Sequence, residues 1–401
     1  MTTLDELRRT PNGLAGHYSR FRVAERMLLT GHSHQAWPDV ALEGQVEAFE
    51  DAADAVDAKW ERAFAKAERV RGALRSLLGD PSSELALGAN THELVVRFLS
   101  ALDLRRRPRL VTTDGEFHTL RRQLARLAEE GVELVRVPAA PAETLAARCA
   151  DSVDDRTAAV LVSSVLYETA RIVPGLHDLA AACEHHGAEL LVDAYHALGA
   201  VPFQLPAAGL ERAWVVGGGY KYLQLGEGNC FLRVPIHADR LRPMVTGWFA
   251  EFAALAGDHR AGQVGYGRGA ARFAGSTYDP TSHYRAARVF DFFDAHGLTP
   301  ALLRRVSQHQ VGLLASAFDE LDLPDEAITR DRSAGLDSSG GFLALRSPRA
   351  SELQRALATR GVSTDSRAQY LRLGPAPYLS DAQISEAMAV FGSVAKELFD
   401  H

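Results

Sequence analysis

The chain has 401 residues, 46% of them hydrophobic and 24% charged, with a formal net charge of −7. That length holds two or three domains around a large core, and the acidic balance argues against nucleic acid or an anionic membrane as partner. Three cysteines (Cys149, Cys183, Cys230) are too few, and odd in number, for a disulfide framework.

The N-terminal stretch MTTLDELRR is polar and lacks the apolar core of a signal peptide. No apolar run reaches bilayer length, so a cytoplasmic location is the expectation. From about residue 80 to 235, short β-like runs alternate with helix-like stretches. The predicted strands are Glu84–Leu87, Arg109–Thr113, Val132–Val137, Ala158–Ser163, Glu189–Asp193, Ala213–Val216 and Cys230–Val234. Amphipathic helices such as Leu120–Glu130 and Gly175–His186 lie between them. Continuous apolar strands alternating with helices predict a mostly parallel sheet of seven strands, covered on both faces. Ligands of such sheets sit in the loops at the carboxyl ends of the strands.

Beyond the sheet, residues 247–283 are rich in glycine and aromatics and read as irregular. Helical runs follow at Ser282–Ala295 and Pro300–Leu321. A strand at Gly341–Arg346, a helix at Ser351–Arg360, a strand at Tyr370–Leu373 and a helix at Asp381–Leu398 predict a smaller α/β domain. The expected division is a large domain over 45–290 and a small one built from 1–44 and 291–401.

Of 44 Lys and Arg residues four are lysines, and three of these (Lys59, Lys66, Lys396) lie in charged, helix-like stretches. The fourth, Lys221, lies among apolar, aromatic and glycine neighbours in VVGGGYKYL (215–223). Poor solvation there lowers the ammonium pKa and favours a nucleophilic amine, the group that forms a Schiff base with a carbonyl or with pyridoxal phosphate. That cofactor also needs a carboxylate at its ring nitrogen, a phosphate cradle and a flat group against the ring. Asp193 ends a buried apolar strand, where an unpaired acid is costly. A capping aspartate is the alternative, but the 28 residues between 193 and 221 fit one helix and one strand and put both groups at the same sheet edge. The phosphate candidate is LGANTHEL (87–94), where a helix opens at Asn90 with Glu93 three residues on and Thr91 as hydroxyl donor. An ordinary capped helix would look the same. Phe117, in a polar loop past another strand, is the stacking candidate. Tyr220 and Tyr222 both flank Lys221, and either hydroxyl could meet the phosphate.

Together these segments resemble the class V aminotransferase group of fold-type-I pyridoxal-phosphate enzymes, and within it kynureninase, from roughly Leu28 onward. GHSHQ (31–35) sits where kynureninases have a Gly-Asn-Ser-Leu-Gly turn, which implies a substrate contact from Ser33. Asn90 and Thr91 resemble their phosphate loop, and FHT (117–119) their Phe-Pro-Thr stacking segment. DAYH (193–196) resembles their Asp-Leu-Ala-His, which implies Asp193 at the ring nitrogen with His196 beside it. YKYL (220–223) is identical to their Schiff-base segment, which implies a phosphate contact from Tyr220. Gly247 and Trp248 match the start of their Gly-Trp-Trp segment, and Arg372 in LRLGPAPY (371–378) resembles the arginine that holds the substrate α-carboxylate. The resemblance implies the fold-type-I architecture and a homodimer with shared active sites, in which Ser276 and Thr277 reach the neighbour's phosphate.

The departures fall on the substrate side. Phe249 replaces a second tryptophan, the following histidine is missing, GST (275–277) stands in place of an asparagine, and Tyr195 in place of a small alanine. The expectation is therefore a pyridoxal-phosphate enzyme acting on an α-amino acid, with kynureninase-like hydrolytic Cβ–Cγ cleavage first and class V transamination or a cysteine-independent β-lyase as alternatives. Desulfuration needs a mobile cysteine late in the chain, and none follows Cys230. A non-catalytic cofactor-binding regulator lacks its basic module, and a metal site from His32, His34, His185 and His186 lacks ligand spacing.

Overall fold

The computed structural model describes residues 2–254 and 262–399. Its centre is a seven-stranded sheet of β1 (Glu84–Gly88), β2 (Arg109–Thr113), β3 (Glu133–Val137), β4 (Thr157–Ser163), β5 (Glu189–Asp193), β6 (Trp214–Gly218) and β7 (Cys230–Val234). The spatial order is β1-β7-β6-β5-β4-β2-β3. Strand β7 runs antiparallel to β1 and β6, and the remaining pairs are parallel. This is the mostly parallel sheet that the sequence predicts, with strand ends displaced by a residue or two.

The strands form because both faces are buried. Every residue of β4, TAAVLVS, is buried. Side chains alternate along each strand. Val160, Val162, Val192 and Val215 join one core cluster. Leu161, Leu191, Trp214 and Val216 join another. The sheet is thus the partition between two apolar layers.

After a short N-terminal helical turn (Leu4–Arg8), two long helices precede the sheet, α1 (Val40–Ala55) and α2 (Lys59–Leu77), and both pack on a later helix, α6. Within the sheet region lie α3 (Thr91–Ser100), α4 (His118–Glu129) and α5 (Leu176–His185). After it come α6 (Thr281–His296) and α7 (Pro300–Glu320). A second sheet holds β8 (Thr329–Arg330), β9 (Leu343–Arg346), β10 (Asp365–Arg367) and β11 (Tyr370–Leu373) in the antiparallel order β10-β11-β9-β8. Helix α8 (Ala350–Thr359) packs on β10 and β11, and α9 (Asp381–Phe399) packs on α7 and α8. The N-terminal segment joins this part of the chain. Met27–Leu28 pairs in parallel with Val362–Ser363, and Thr30 bridges Gly374. Among the described residues no helix is long and apolar enough to cross a membrane.

Candidate active site

Four strand ends converge on Lys221. It follows β6 in a tight turn where Gln224 N–H donates to Lys221 O at 3.0 Å and Leu225 N–H to Gly219 O at 2.9 Å. The glycines before it are required by space. A Cβ on Gly219 would lie 2.3 Å from Leu225, and one on Gly218 2.5 Å from the Tyr195 hydroxyl. The lysine is 5% exposed. Its Nζ lies 2.5 Å from His196 Nε2 and 5.4, 5.2 and 5.7 Å from the ring centres of Phe117, Tyr195 and Tyr220. Burial lowers its pKa to about 7, against the pull of Asp193, which favours the charged form. Burial also holds His196 well below the usual imidazole range, with the Lys221 charge adding to the effect.

Asp193 ends β5, the neighbour of β6. Its Oδ1 accepts the Tyr195 N–H at 2.8 Å. Burial raises its pKa despite that bond and the nearby lysine. Asn90 is the N-cap of the ten-residue helix α3, its Oδ1 accepting Glu93 N–H at 2.9 Å. Thr91 is the first helical residue, so amides of that first turn have no intrahelical acceptor and suit an anion. Phe117 precedes α4 and sits edge-on to Tyr167 at 5.4 Å.

The remaining predicted residues are less central. Tyr220 packs between Tyr195 and His34, at 4.9 and 4.8 Å. Ser33 Oγ lies 3.2 Å from His34 Nδ1 on an exposed part of the early turn. Trp248 is 43% exposed and donates to Thr277 Oγ1 at 3.2 Å. Gly275, beside Ser276, rests against Arg97 of α3 in the same chain. Arg372 is buried, but its guanidinium is already engaged. Nε and Nη2 donate to the two oxygens of Asp365 at 2.8 and 2.5 Å, and Nη1 donates to Tyr167 O at 2.5 Å.

Three residues were not singled out from sequence. Glu116, 1% exposed, accepts from Thr113 Oγ1 at 2.7 Å, Ser163 Oγ at 2.5 Å and Ser163 N at 3.1 Å. Burial raises it to about 7, and Asp193 pushes the same way. An acid between a glycine and the stacking phenylalanine was its one visible signal. Asp365 pairs with His32 Nε2 at 2.8 Å as well as with Arg372. Tyr167 lies between Phe117 and Arg372.

The residues gathered at Lys221 fit pyridoxal phosphate. An amine with a pKa lowered to about 7, a half-buried carboxylate with one backbone donor, a helix N-terminus and an aromatic ring lie at one sheet edge, and that is the donor set the cofactor requires. No family model matches the chain. Its sequence is 27% identical to a kynureninase of Pseudomonas fluorescens over 403 residues, covering 96% of this chain and 92% of that protein. It is 24% identical to an uncharacterized aminotransferase, YcbU, of Bacillus subtilis over 330 residues, covering 82% of this chain and 84% of that one. In fold it is similar to a lysine-to-alanine mutant of C-DES carrying glycine linked to its pyridoxal-phosphate cofactor (TM-score 0.81, 17% identity, 94% of this chain and 98% of that one). It is also similar to a cysteine desulfurase of Thermococcus onnurineus NA1 (TM-score 0.80, 18% identity, 96% and 98%). In fold and sequence the chain is thus similar to fold-type-I pyridoxal-phosphate enzymes of the class V aminotransferase group. Within that group its similarity is to kynureninase.

Proposed function

We propose that the chain cleaves the Cβ–Cγ bond of a γ-keto α-amino acid by hydrolysis, giving a carboxylic acid and alanine. The carrying observation is the Lys221 amine, buried, lowered to about 7 and set 2.5 Å from His196 at the strand end next to Asp193. Similarity to a kynureninase over nearly the whole chain supports this substrate class over others.

When bound, pyridoxal phosphate supplies an aldehyde for the amino group and a ring that takes up electron density from Cα. The chain's own residues do the rest. Lys221 Nζ would hold the aldehyde, and it is the base placed to move the Cα proton. With a pKa near neutrality it both accepts and returns that proton. Asp193 keeps a proton on the ring nitrogen. Asn90, Thr91 and the amides that open α3 hold the phosphate, with Tyr220, and with Ser276 and Thr277 of a second copy. Phe117 would lie against the ring, and Trp248 would be a further cofactor contact. His196, neutral because of its burial, orients Lys221 Nζ. Ser33 lies at the substrate end.

Cysteine-based sulfur transfer is disfavoured. Cys230 is 3% exposed inside β7, and burial pushes its thiol up to about 12. Transamination shares the cofactor residues and is the second reading, supported by the similarity to an aminotransferase. L-kynurenine separates the two. Release of anthranilate and alanine is expected. Appearance of pyridoxamine phosphate and a keto acid instead would overturn the hydrolytic reading.

A homodimer belongs to this proposal. Leu42, Val46 and Phe49 line one face of α1 and are 39, 47 and 76% exposed, and Trp248 and Phe252 are exposed as well. Apolar side chains of that size at helical spacing suit a covered face. Phe49→Glu is expected to shift the sedimenting species toward the monomer.

A further inference from the structure

Lys221 Nζ stands over two aromatic rings that come from different parts of the chain. It lies 5.4 Å from the ring centre of Phe117 and 5.2 Å from that of Tyr195. Phe117 makes ring contacts with His118 and Tyr167, and Tyr195 with Tyr220. Among the described residues no ring contact joins Phe117 to Tyr195. The amine therefore marks a gap bordered by two rings that approach it without touching each other.

Tyr195 lies just past β5, and its own N–H donates to Asp193 Oδ1 at 2.8 Å. From there its side chain crosses the carboxyl end of β6. Its hydroxyl comes to 3.8 Å from Sγ of Cys230, the first residue of β7. Gly218 is what lets it cross, since a Cβ there would lie 2.5 Å from the Tyr195 hydroxyl and 2.6 Å from its Cε2. Cys230 is the register partner of Gly218 on one side and of Gly88 on the other, and Gly88 leads into the N-terminus of α3. Tyr195 thus runs from the carboxylate assigned to the ring nitrogen toward the loop assigned to the phosphate. It is buried and joins the apolar layer of Leu191, Trp214 and Val216. The kynureninase pattern has a small alanine here, so the second ring is a departure from it.

We propose that Tyr195 is the floor of the cofactor site, so that the pyridine ring lies between the rings of Phe117 and Tyr195. The proposal rests on the pyridoxal-phosphate reading above. It adds a cofactor-binding residue and explains the glycine at 218 as the space that Tyr195 fills. A protonated pyridine is cationic, and the electron-rich face of a phenol stabilises it by stacking and by cation–π attraction. Tyr195 therefore acts together with Asp193, to which its backbone is bonded, in keeping the ring nitrogen protonated.

The test is a binding titration of the full chain with pyridoxamine phosphate, which forms no imine with Lys221 and so reports non-covalent contacts alone. Inorganic phosphate is measured beside it as a competitor, because it needs the phosphate loop but no floor. In Tyr195→Ala the dissociation constant of pyridoxamine phosphate is expected to rise about tenfold, as for loss of one stacked aromatic pair. That of phosphate is expected to stay within about twofold. Tyr195→Leu fills the same space without a π face and should lose roughly fivefold, whereas Tyr195→Phe should stay within roughly threefold of wild type. Gly218→Ala should weaken pyridoxamine phosphate by displacing the tyrosine ring. Adding Tyr195→Ala to it should cost little more, because ring and methyl compete for one space. Wild-type affinity for pyridoxamine phosphate in Tyr195→Ala overturns the proposal, and the same result in Tyr195→Leu overturns it if the alanine variant fails to fold. An equal loss for pyridoxamine phosphate and for phosphate also overturns it, since a merely structural tyrosine would act on both. A wild-type chain that takes up neither pyridoxal phosphate nor pyridoxamine phosphate overturns both this proposal and the functional reading beneath it.

Discussion

Strand β5 carries a buried carboxylate at its start and a half-buried one at its end, and the two are treated in opposite ways. Glu189 opens the strand and accepts from Trp214 Nε1 at 2.9 Å, Arg240 Nη2 at 2.9 Å and a contact with His237 Nε2 at 2.8 Å. Despite burial, those partners lower it to about 2. Asp193 closes the strand with a single backbone donor to its side chain among the described residues, and burial raises its pKa. One strand thus ends in a satisfied ion cluster and in a carboxylate short of partners. Buried polar groups are normally answered in full, so an unanswered one marks where a ligand completes the set. Lys221 makes the same point against Lys66, which is paired with Glu47 at 2.5 Å on the surface side.

The comparison is broken most directly at Lys221. Lys221→Ala removes the nucleophile, and turnover is expected to fall by roughly four orders of magnitude or more. Borohydride should then fix no cofactor to the chain. Retention of covalent labelling in this variant would mean that another amine holds it.

The pH dependence of the unloaded chain tests the same residue. An unfolded lysine titrates near 10.4, whereas Lys221 titrates near 7. Between these values the unfolded chain binds the extra proton, so stability rises with pH across that window. Below pH 7 both states are protonated and the full penalty is present. The rise amounts to at most about 5 kcal/mol. Denaturant titrations of Lys221→Met should lose that rise. Cofactor uptake should climb through the same midpoint as the amine becomes neutral.

The two ends of β5 should then separate stability from chemistry. Glu189→Gln leaves a partly buried imidazole and a guanidinium without their anion, and about 3 kcal/mol of stability is expected to go. Activity per folded molecule should remain. For Asp193→Asn the expectation is reversed, with unfolding midpoints close to wild type and turnover reduced on the order of a hundredfold. Equal behaviour of the two variants in both assays would dissolve the distinction between them.

What was legible in the sequence divides along similar lines. The strands were readable as short, mainly apolar runs bounded by polar or glycine residues, most plainly β4, which is buried along its whole length, while the edge strand β3 carries the exposed Arg136. Lys221 and Asp193 stood out because they violate that pattern. Helix α1 was not assigned, since Asp39 makes no side-chain cap and its outward face carries Leu42, Val46 and Phe49. Apolar residues on both sides blur the helical period. The pairing of Asp365 with Arg372 was also invisible. Its register is set by a two-residue turn of Ala368 and Gln369, with Ala368 at φ +48°, and that turn lacks the Asn-Gly or Asp-Gly signal of such hairpins. Arg372 could be found from its neighbours in the chain, but not the partner that closes it.

Glu116 is an intermediate case between the two carboxylates of β5 and gives the smallest expected effect. It is hydrogen-bonded like Glu189, yet its pKa is raised, to about 7, because it is buried and its partners are neutral hydroxyls and an amide; the direction is that of Asp193. A raised carboxyl pKa means that the folded chain holds the proton between about 4.3 and 7 while the unfolded chain has lost it. Stability therefore falls as pH rises through that window, the opposite sign to Lys221. Together the two groups give the unloaded chain a minimum of stability near neutrality. Glu116→Gln keeps one carbonyl oxygen for Ser163 and cannot ionise, so it should flatten the descent below pH 7 by on the order of 2 kcal/mol. The rise above pH 7 should remain, because it belongs to Lys221. A descent that survives in Glu116→Gln would have to come from Asp193, whose burial raises its pKa in the same direction, and Asp193→Asn measured beside it assigns the slope.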